Sequence, residues 1–166
     1  MDREARRNPY GEGRREVNRI AFFLNLEPQP PTVTHQEKKF GGVTKKGTPI
    51  YYEPPELADA RALFTARLKK FAPKKPWSCP IQLCTLWKFR IPEGRSAKVK
   101  CEWRTSKPDT ENLQKLLKDV MTKCGFWKDD AFVCREIIEK KNFSGSEKHG
   151  ILISITDLSN PQGENQ

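Results

Sequence analysis

Two acids, a lysine and a further pair of acids stand close together in the second half of this chain. Asp109 and Glu111 fall where an extended segment turns into a helix, and Lys115 follows one turn later on the same side as Glu111. Asp129 and Asp130 open the element after that helix. Carboxylates at this spacing suit a hard cation such as magnesium, which keeps several waters and is commonly held by one or two carboxylates plus substrate phosphate. At a phosphodiester, such an ion lowers the pKa of an attacking water and offsets charge on the leaving oxygen. A nearby lysine adds fixed positive charge where the phosphate becomes more negative. The same residues also have ordinary structural uses. Asp109 suits an N-cap. Glu111 and Lys115 have the order of a helical pair worth about 0.3 kcal/mol, and Asp129-Asp130 after Trp127-Lys128 fits a plain turn. A helix of about 14 residues is roughly 21 Å long, so Asp130 meets Asp109 only if the chain folds back along the helix or a partner supplies it.

The elements that must hold these groups follow from periodicity. Residues 18–27 alternate, with Ile20, Phe22, Leu24 and Leu26 on one side, and read as a strand ended by Pro28, Pro30 and Pro31. A long loop is expected through Thr34, His35 and the glycine-rich residues 41–47. Pro54 and Pro55 announce a helix in which Leu57, Ala60, Phe64, Leu68 and Phe71 form one apolar stripe, with Pro73 and Pro76 ending it. Residues 81–90 alternate again, 94–98 read as a turn, and 99–104 as a further strand. A second helix fits 110–123, with Leu113, Leu116, Leu117, Val120 and Met121 on one face and Gly125 as its stop. Residues 133–141 and 150–156 read as two last strands joined by a loop over 142–149. Residues 1–16 are polar and read as disordered, and the polar tail from Asp157 as frayed. Trp77, Trp87, Trp103 and Trp127 read as core or interface residues.

Composition narrows the class of partner. A chain of 166 residues, 36% hydrophobic and 31% charged, suits one compact domain with a modest core. No apolar run approaches the roughly 20 residues of a membrane span, and no secretory signal opens the sequence, which predicts a cytoplasmic protein. The five cysteines form no Cys-x-x-Cys pair, and with two histidines they predict reduced, mostly buried thiols, not a zinc site. The net charge of +10 is concentrated: residues 38–107 carry 17 Lys and Arg against 5 Asp and Glu. Such a block favours a polyanion, because each neutralised phosphate releases counterions. No basic segment carries a large apolar face, so nucleic acid is favoured over membrane. Phe40 with Lys38, Lys39, Lys45 and Lys46, in the proline-bounded loop, is a candidate wedge or phosphate clamp on DNA.

The run KPDTENLQKLLKDVMTKCGFWKDDAFV resembles RusA-type Holliday-junction resolvases, in which an Asp-x-Asp-Asn-x-x-Lys helix start precedes a Gly-[Phe/Val]-Trp-x-Asp-Asp turn. The similarity spans about residues 20–156 and is specific over 108–130, with a looser upstream match at the Pro30-Pro31 loop. The resemblance implies that Asp109, Glu111 and Asp130 hold Mg2+ (with Mn2+ as a substitute) and that Lys115 completes the catalytic set. Asn112 matches the family asparagine, and Asp129 is a supporting acid. Glu111 stands where the family usually has aspartate, and Thr34 where its loop often has asparagine. The implied fold is α/β (α+β): one domain, a small mixed sheet of about four strands with two helices, over residues 18–156. Residues 1–17 are then an extension and 157–166 a flexible tail. The implied activity is Mg2+-dependent resolution of four-way junctions by a homodimer making paired symmetric nicks, in a bacterial or prophage setting. The alternatives are a nuclease for other branched DNA and a branched-DNA-binding protein that does not cut.

Overall fold

The computed structural model describes residues 18–33, 39–92, 94–95, 99–145 and 147–159. Among the described residues seven strands and two helices follow one another: β1 (Arg19–Asn25), β2 (Lys39–Val43), β3 (Pro49–Tyr52), α1 (Pro55–Leu68), β4 (Ile81–Arg90), β5 (Cys101–Trp103), α2 (Thr110–Lys123), β6 (Val133–Phe143) and β7 (Gly150–Asp157). Short 3₁₀ turns cover Lys69–Phe71 and Asp130–Phe132. Five strands form one sheet in the order β1-β7-β4-β6-β5. β4 and β6 run parallel, and the other neighbours are antiparallel. β2 and β3 form a separate two-stranded hairpin.

The alternation in β4 decides where the core lies. Ile81, Leu83, Thr85, Trp87 and Phe89 point to one face and are buried, while the residues between them are half-buried. The inner residues of β7, Ile151, Ile153 and Ile155, continue that face beside Leu24 of β1. The apolar stripes of α1 (Leu57, Ala60, Phe64, Leu68) and α2 (Leu113, Leu116, Leu117, Val120, Met121) cover it. Phe64 meets Trp87 edge to face, and the Thr85 hydroxyl donates to Oε1 of the buried Gln114 at 2.9 Å, pinning α2 to the middle of β4. The two layers therefore share one dry interior, which holds α2 by its inner face and leaves its outer face to solvent.

Both helices have the expected lengths, with boundaries set by local chemistry. Pro55 occupies the first turn of α1, where its missing N–H costs nothing. Phe71, expected on the same stripe, lies instead in the 3₁₀ turn and stacks on Phe22 at 4.2 Å. α2 ends on Gly125, whose φ of +84° lets its N–H bond Thr122 O and the Phe126 N–H bond Met121 O. Phe126 and Trp127 are then buried, and Trp77 pairs with this turn through Trp77 N to Phe126 O and Lys128 N to Trp77 O.

The expected single mixed α+β domain is found, its sheet of five strands including the short edge strand β5, which pairs with a β6 that runs on to Phe143. Three expectations are corrected. The segment read as a loop through residues 41–47 is largely the β2–β3 hairpin, closed by a turn in which Gly47 N bonds Thr44 O. Asp157 ends β7 and Leu158 N bonds Pro80 O, so the start of the tail is tied to the sheet. The five free cysteines are half-buried or exposed and none is fully buried; Cys79 and Cys124 pack only partly against the core. Residues 1–17, Thr34, His35, Lys38 and 160–166 lie outside the described residues. Among the described residues no helix is long and apolar enough to cross a membrane.

Candidate active site

The start of α2 is built around one capping contact. Asp109 has extended backbone angles and its Oδ1 accepts the Asn112 N–H at 3.0 Å, so the ordinary use expected of this acid is real. The cap uses one oxygen, and the residue is exposed. Glu111 and Lys115 are exposed and, among the described residues, their side chains make no hydrogen bond or ion pair, with each other or with anything else. The helical pair that their spacing permits is not formed. Both charges therefore remain available to a ligand, beside the positive end of the helix dipole.

The turn leading into α2 is held by two cations from the sheet. Lys140 on β6 donates through Nζ to the carbonyls of Ser106 at 2.9 Å and Pro108 at 2.7 Å. Arg104 donates through Nη2 to Lys107 O at 3.0 Å and through Nη1 to Asn142 Oδ1 at 3.2 Å, with its guanidinium 4.2 Å from the Phe89 ring centroid. Asn142 in turn donates to Glu102 at 3.0 Å, and Glu102 also takes a 2.7 Å bond from Arg95. Burial pushes the Lys140 ammonium below the ordinary lysine range, the nearby Arg104 adds to this, and Asp109 opposes it. The Glu102 carboxyl is held low by the Asn142 bond first and Arg95 second. The Lys107–Pro108 peptide within this turn is cis.

Asp130 is elsewhere in the chain. Lys140 sits beside Pro108, and Lys118 pairs with Glu136 at 2.6 Å, so β6 runs antiparallel to α2. Asp130 precedes Glu136 by six residues and opens the 3₁₀ turn packed at the far end of α2. It is thus about a helix length, roughly 20 Å, from Asp109. Its side chain is exposed and makes no bond among the described residues, whereas Asp129 caps the turn by accepting Ala131 N–H at 2.8 Å. Among the described residues no three His, Cys, Asp or Glu side chains gather closely enough to hold a metal ion. One chain therefore brings together Asp109, Asn112, Glu111 and Lys115 and does not bring Asp130 to them.

The residues that periodicity could not find are Arg104, Lys140, Asn142 and Gln114. Gln114, Lys140 and Asn142 act through contacts 29 to 40 positions away, and Arg104, although it bonds Lys107 O three positions on, is held by Asn142 38 positions away, so no local pattern marks them. Two tryptophans, Trp87 and Trp127, are core residues as expected, but Trp103 is 63% exposed on the edge strand with the Lys141 ammonium 4.1 Å from its ring centroid.

Lys39 and Phe40 lie on β2, and Lys45 and Lys46 on the turn of the hairpin, all exposed. Five of the eight exposed large hydrophobics among the described residues, Phe40, Val43, Ile50, Tyr51 and Tyr52, belong to this hairpin. Phe40 and Tyr51 contact edge to face at 6.0 Å.

Residues 28–156 match the family described as Endodeoxyribonuclease RusA. The chain is also similar to the crossover junction endodeoxyribonuclease rusA of Lactococcus phage r1t, at 34% identity over 143 residues, covering 84% of this chain and 99% of that protein.

Proposed function

The chain belongs to the RusA endodeoxyribonuclease family, and from that premise we propose that it resolves four-way DNA junctions by paired hydrolytic nicks. The observation that carries this reading is the free state of Glu111 and Lys115 beside Asp109, inside the segment that the family shares. Charged side chains left unpaired at a helix start, although their spacing allows a pair, are suited to an external phosphate and cation.

RusA nucleases depend in general on a divalent metal. The donors present fit a hard ion: Asp109 and Glu111 offer carboxylate oxygens on one exposed helical turn, with cations close by. When bound, Mg2+, or Mn2+ in its place, would supply a Lewis acid that activates water and offsets charge on the leaving oxygen. The chain's own groups do the rest. Lys115 faces the phosphate and stabilises its developing charge. Asn112 and Asp109 fix the first turn, and Asp129 orients the turn that carries Asp130.

Asp130 enters through a second copy of the chain. In a two-fold dimer a patch on one copy meets the same patch on the other. With the two-fold axis lying across α2, the two α2 helices run antiparallel, so that Asp130 of each copy approaches Asp109 and Glu111 of the other. The reading thus makes the homodimer a condition of the site. Lys39, Phe40, Lys45 and Lys46 contribute to DNA binding, the lysines on phosphates and Phe40 on bases at the branch point. Catalysis resides in residues 18–156, with the flanking segments accessory, and takes place in the cytoplasm.

The test is a mobile four-way junction incubated with Mg2+ or with EDTA. Paired nicks in opposed strands are expected with Mg2+, and binding without cleavage in EDTA. Symmetric nicking under complete chelation would overturn the metal assignment, and cutting of simple duplex at the same rate would overturn junction selectivity.

A further inference from the structure

Beside the capped turn, the end of β4 borders a cleft of about 420 Å³ lined by Pro28, Gln29, Arg90, Ile91, Pro92 and Arg104. Its volume lies within the roughly 300–1,000 Å³ of small-ligand sites. Arg104 ties the cleft to the candidate site, because it bonds the carbonyl of Lys107, two residues before Asp109.

The two arginines are held differently. Arg104 is fixed by Phe89, Asn142 and Lys107, and its Nε is buried without a partner among the described residues. Arg90 is exposed at the end of β4, and its side chain makes no hydrogen bond or ion pair among the described residues. The acids nearby are already engaged. Glu27, which feels the charge of Arg90, accepts the His149 N–H at 3.0 Å and faces the His149 ring at 3.3 Å. Glu102 is taken up by Asn142 and Arg95. Two arginines therefore line the cleft, beside Gln29, Ile91 and two prolines. A planar guanidinium fork matches phosphate oxygens two at a time.

We propose that this cleft is a subsite for one phosphodiester of the bound DNA strand, within two nucleotides of the bond cut at Asp109 and Glu111. Arg104 forms the fixed floor and Arg90 the clamp that closes on the phosphate. Neither touches the reacting atoms; they set the register of the strand against the carboxylates. The inference rests on the junction-cleavage reading above.

Single neutral methylphosphonates placed at each position around the nick test it, with binding to wild type and Arg90→Gln measured by fluorescence anisotropy in EDTA. Wild type is expected to lose about tenfold in affinity at one position near the nick, as for one charged phosphate contact. Arg90→Gln should bind the unmodified junction about tenfold more weakly, with a log–log salt slope shallower by about 1. It should be indifferent to the methylphosphonate at that one position and as sensitive as wild type elsewhere. Arg90→Lys should recover part of the affinity and of that position's sensitivity. If Arg90→Gln shows unchanged affinity, or the same sensitivity as wild type at every position, the subsite is wrong. Wild-type cleavage of the unmodified junction with Mg2+ is run in parallel. Cleavage without position-specific coupling overturns the subsite alone, and no cleavage overturns the junction-cleavage reading together with it.

Discussion

The ammonium of Lys140 donates to the carbonyl of Pro108 at 2.7 Å, so that β6 holds the residue immediately before Asp109. Pro108 is buried, and its carbonyl would otherwise need another partner. The same ammonium takes the Ser106 carbonyl, and Arg104 takes that of Lys107, so three successive carbonyls of the turn are bound by cations. The site's geometry thus depends on the sheet and not on α2 alone.

Lys140→Met is expected to leave two carbonyls without their donor and to cost about 1–3 kcal/mol of stability. Cleavage should fall about tenfold or more, as for a displaced catalytic group, while junction binding in EDTA changes by less than about threefold. Nicking kinetics beside anisotropy measure this. A variant that melts earlier but cuts at the wild-type rate would show that Lys140 serves the fold and not the site.

Asp109 has two roles that asparagine separates. Asparagine is as good an N-cap as aspartate, so Asp109→Asn should keep stability within about 0.5 kcal/mol while cutting is lost. Asp109→Ala should lose cutting and about 1 kcal/mol besides. Thermal melts and junction cleavage separate the two effects.

The separation of Asp109 from Asp130 leads to a complementation experiment. Asp109→Asn and Asp130→Asn homodimers should each be inactive. Mixed after subunit exchange, they should regain nicking at one of the two sites, because one composite site then receives both wild-type acids. If each site lay within one chain, no mixture of the two would cut.

Among the described residues the Glu111 and Lys115 side chains have no partner to lose. Glu111→Asp is expected to change stability by no more than about 0.5 kcal/mol, as for surface substitutions away from contacts, and to preserve or raise cutting. Lys115→Ala should abolish cutting with only a slight fall in affinity. An inactive Glu111→Asp would mean that the longer side chain is matched to the geometry of this site.

The Glu27 carboxyl is held below its ordinary value, first by the His149 backbone N–H. A carboxyl whose folded pKa is depressed adds stability above the unfolded value of 4.5 and loses it as pH falls through the folded value. Glu27→Gln should therefore lower the melting temperature at pH 7 and flatten its fall below pH 4.5. An unchanged acid limb would assign the depression no role in stability.

Much of the scaffold was legible from local pattern. The ranges 110–123 and 81–90 agree with α2 and β4 because periodicity, a capping aspartate and a stop glycine act within a few residues of one another. The β2–β3 hairpin was missed because its apolar residues are exposed and its glycines resemble a loop. Nothing in that segment alternates against a core.

By itself the sequence determined the chemistry on offer: which acids and which lysine lie at a helix start, and which basic stretch surrounds them. Only the tertiary structure decided how those groups are arranged. It shows Glu111 and Lys115 apart, Lys140 and Arg104 on the turn, and Asp130 at the far end of α2. The physical reason is range. Caps and helical faces are settled within a turn, whereas the pairing of β6 with β4, which sets the direction of the chain beyond α2, is settled by burying strands some 50 residues apart against a common core.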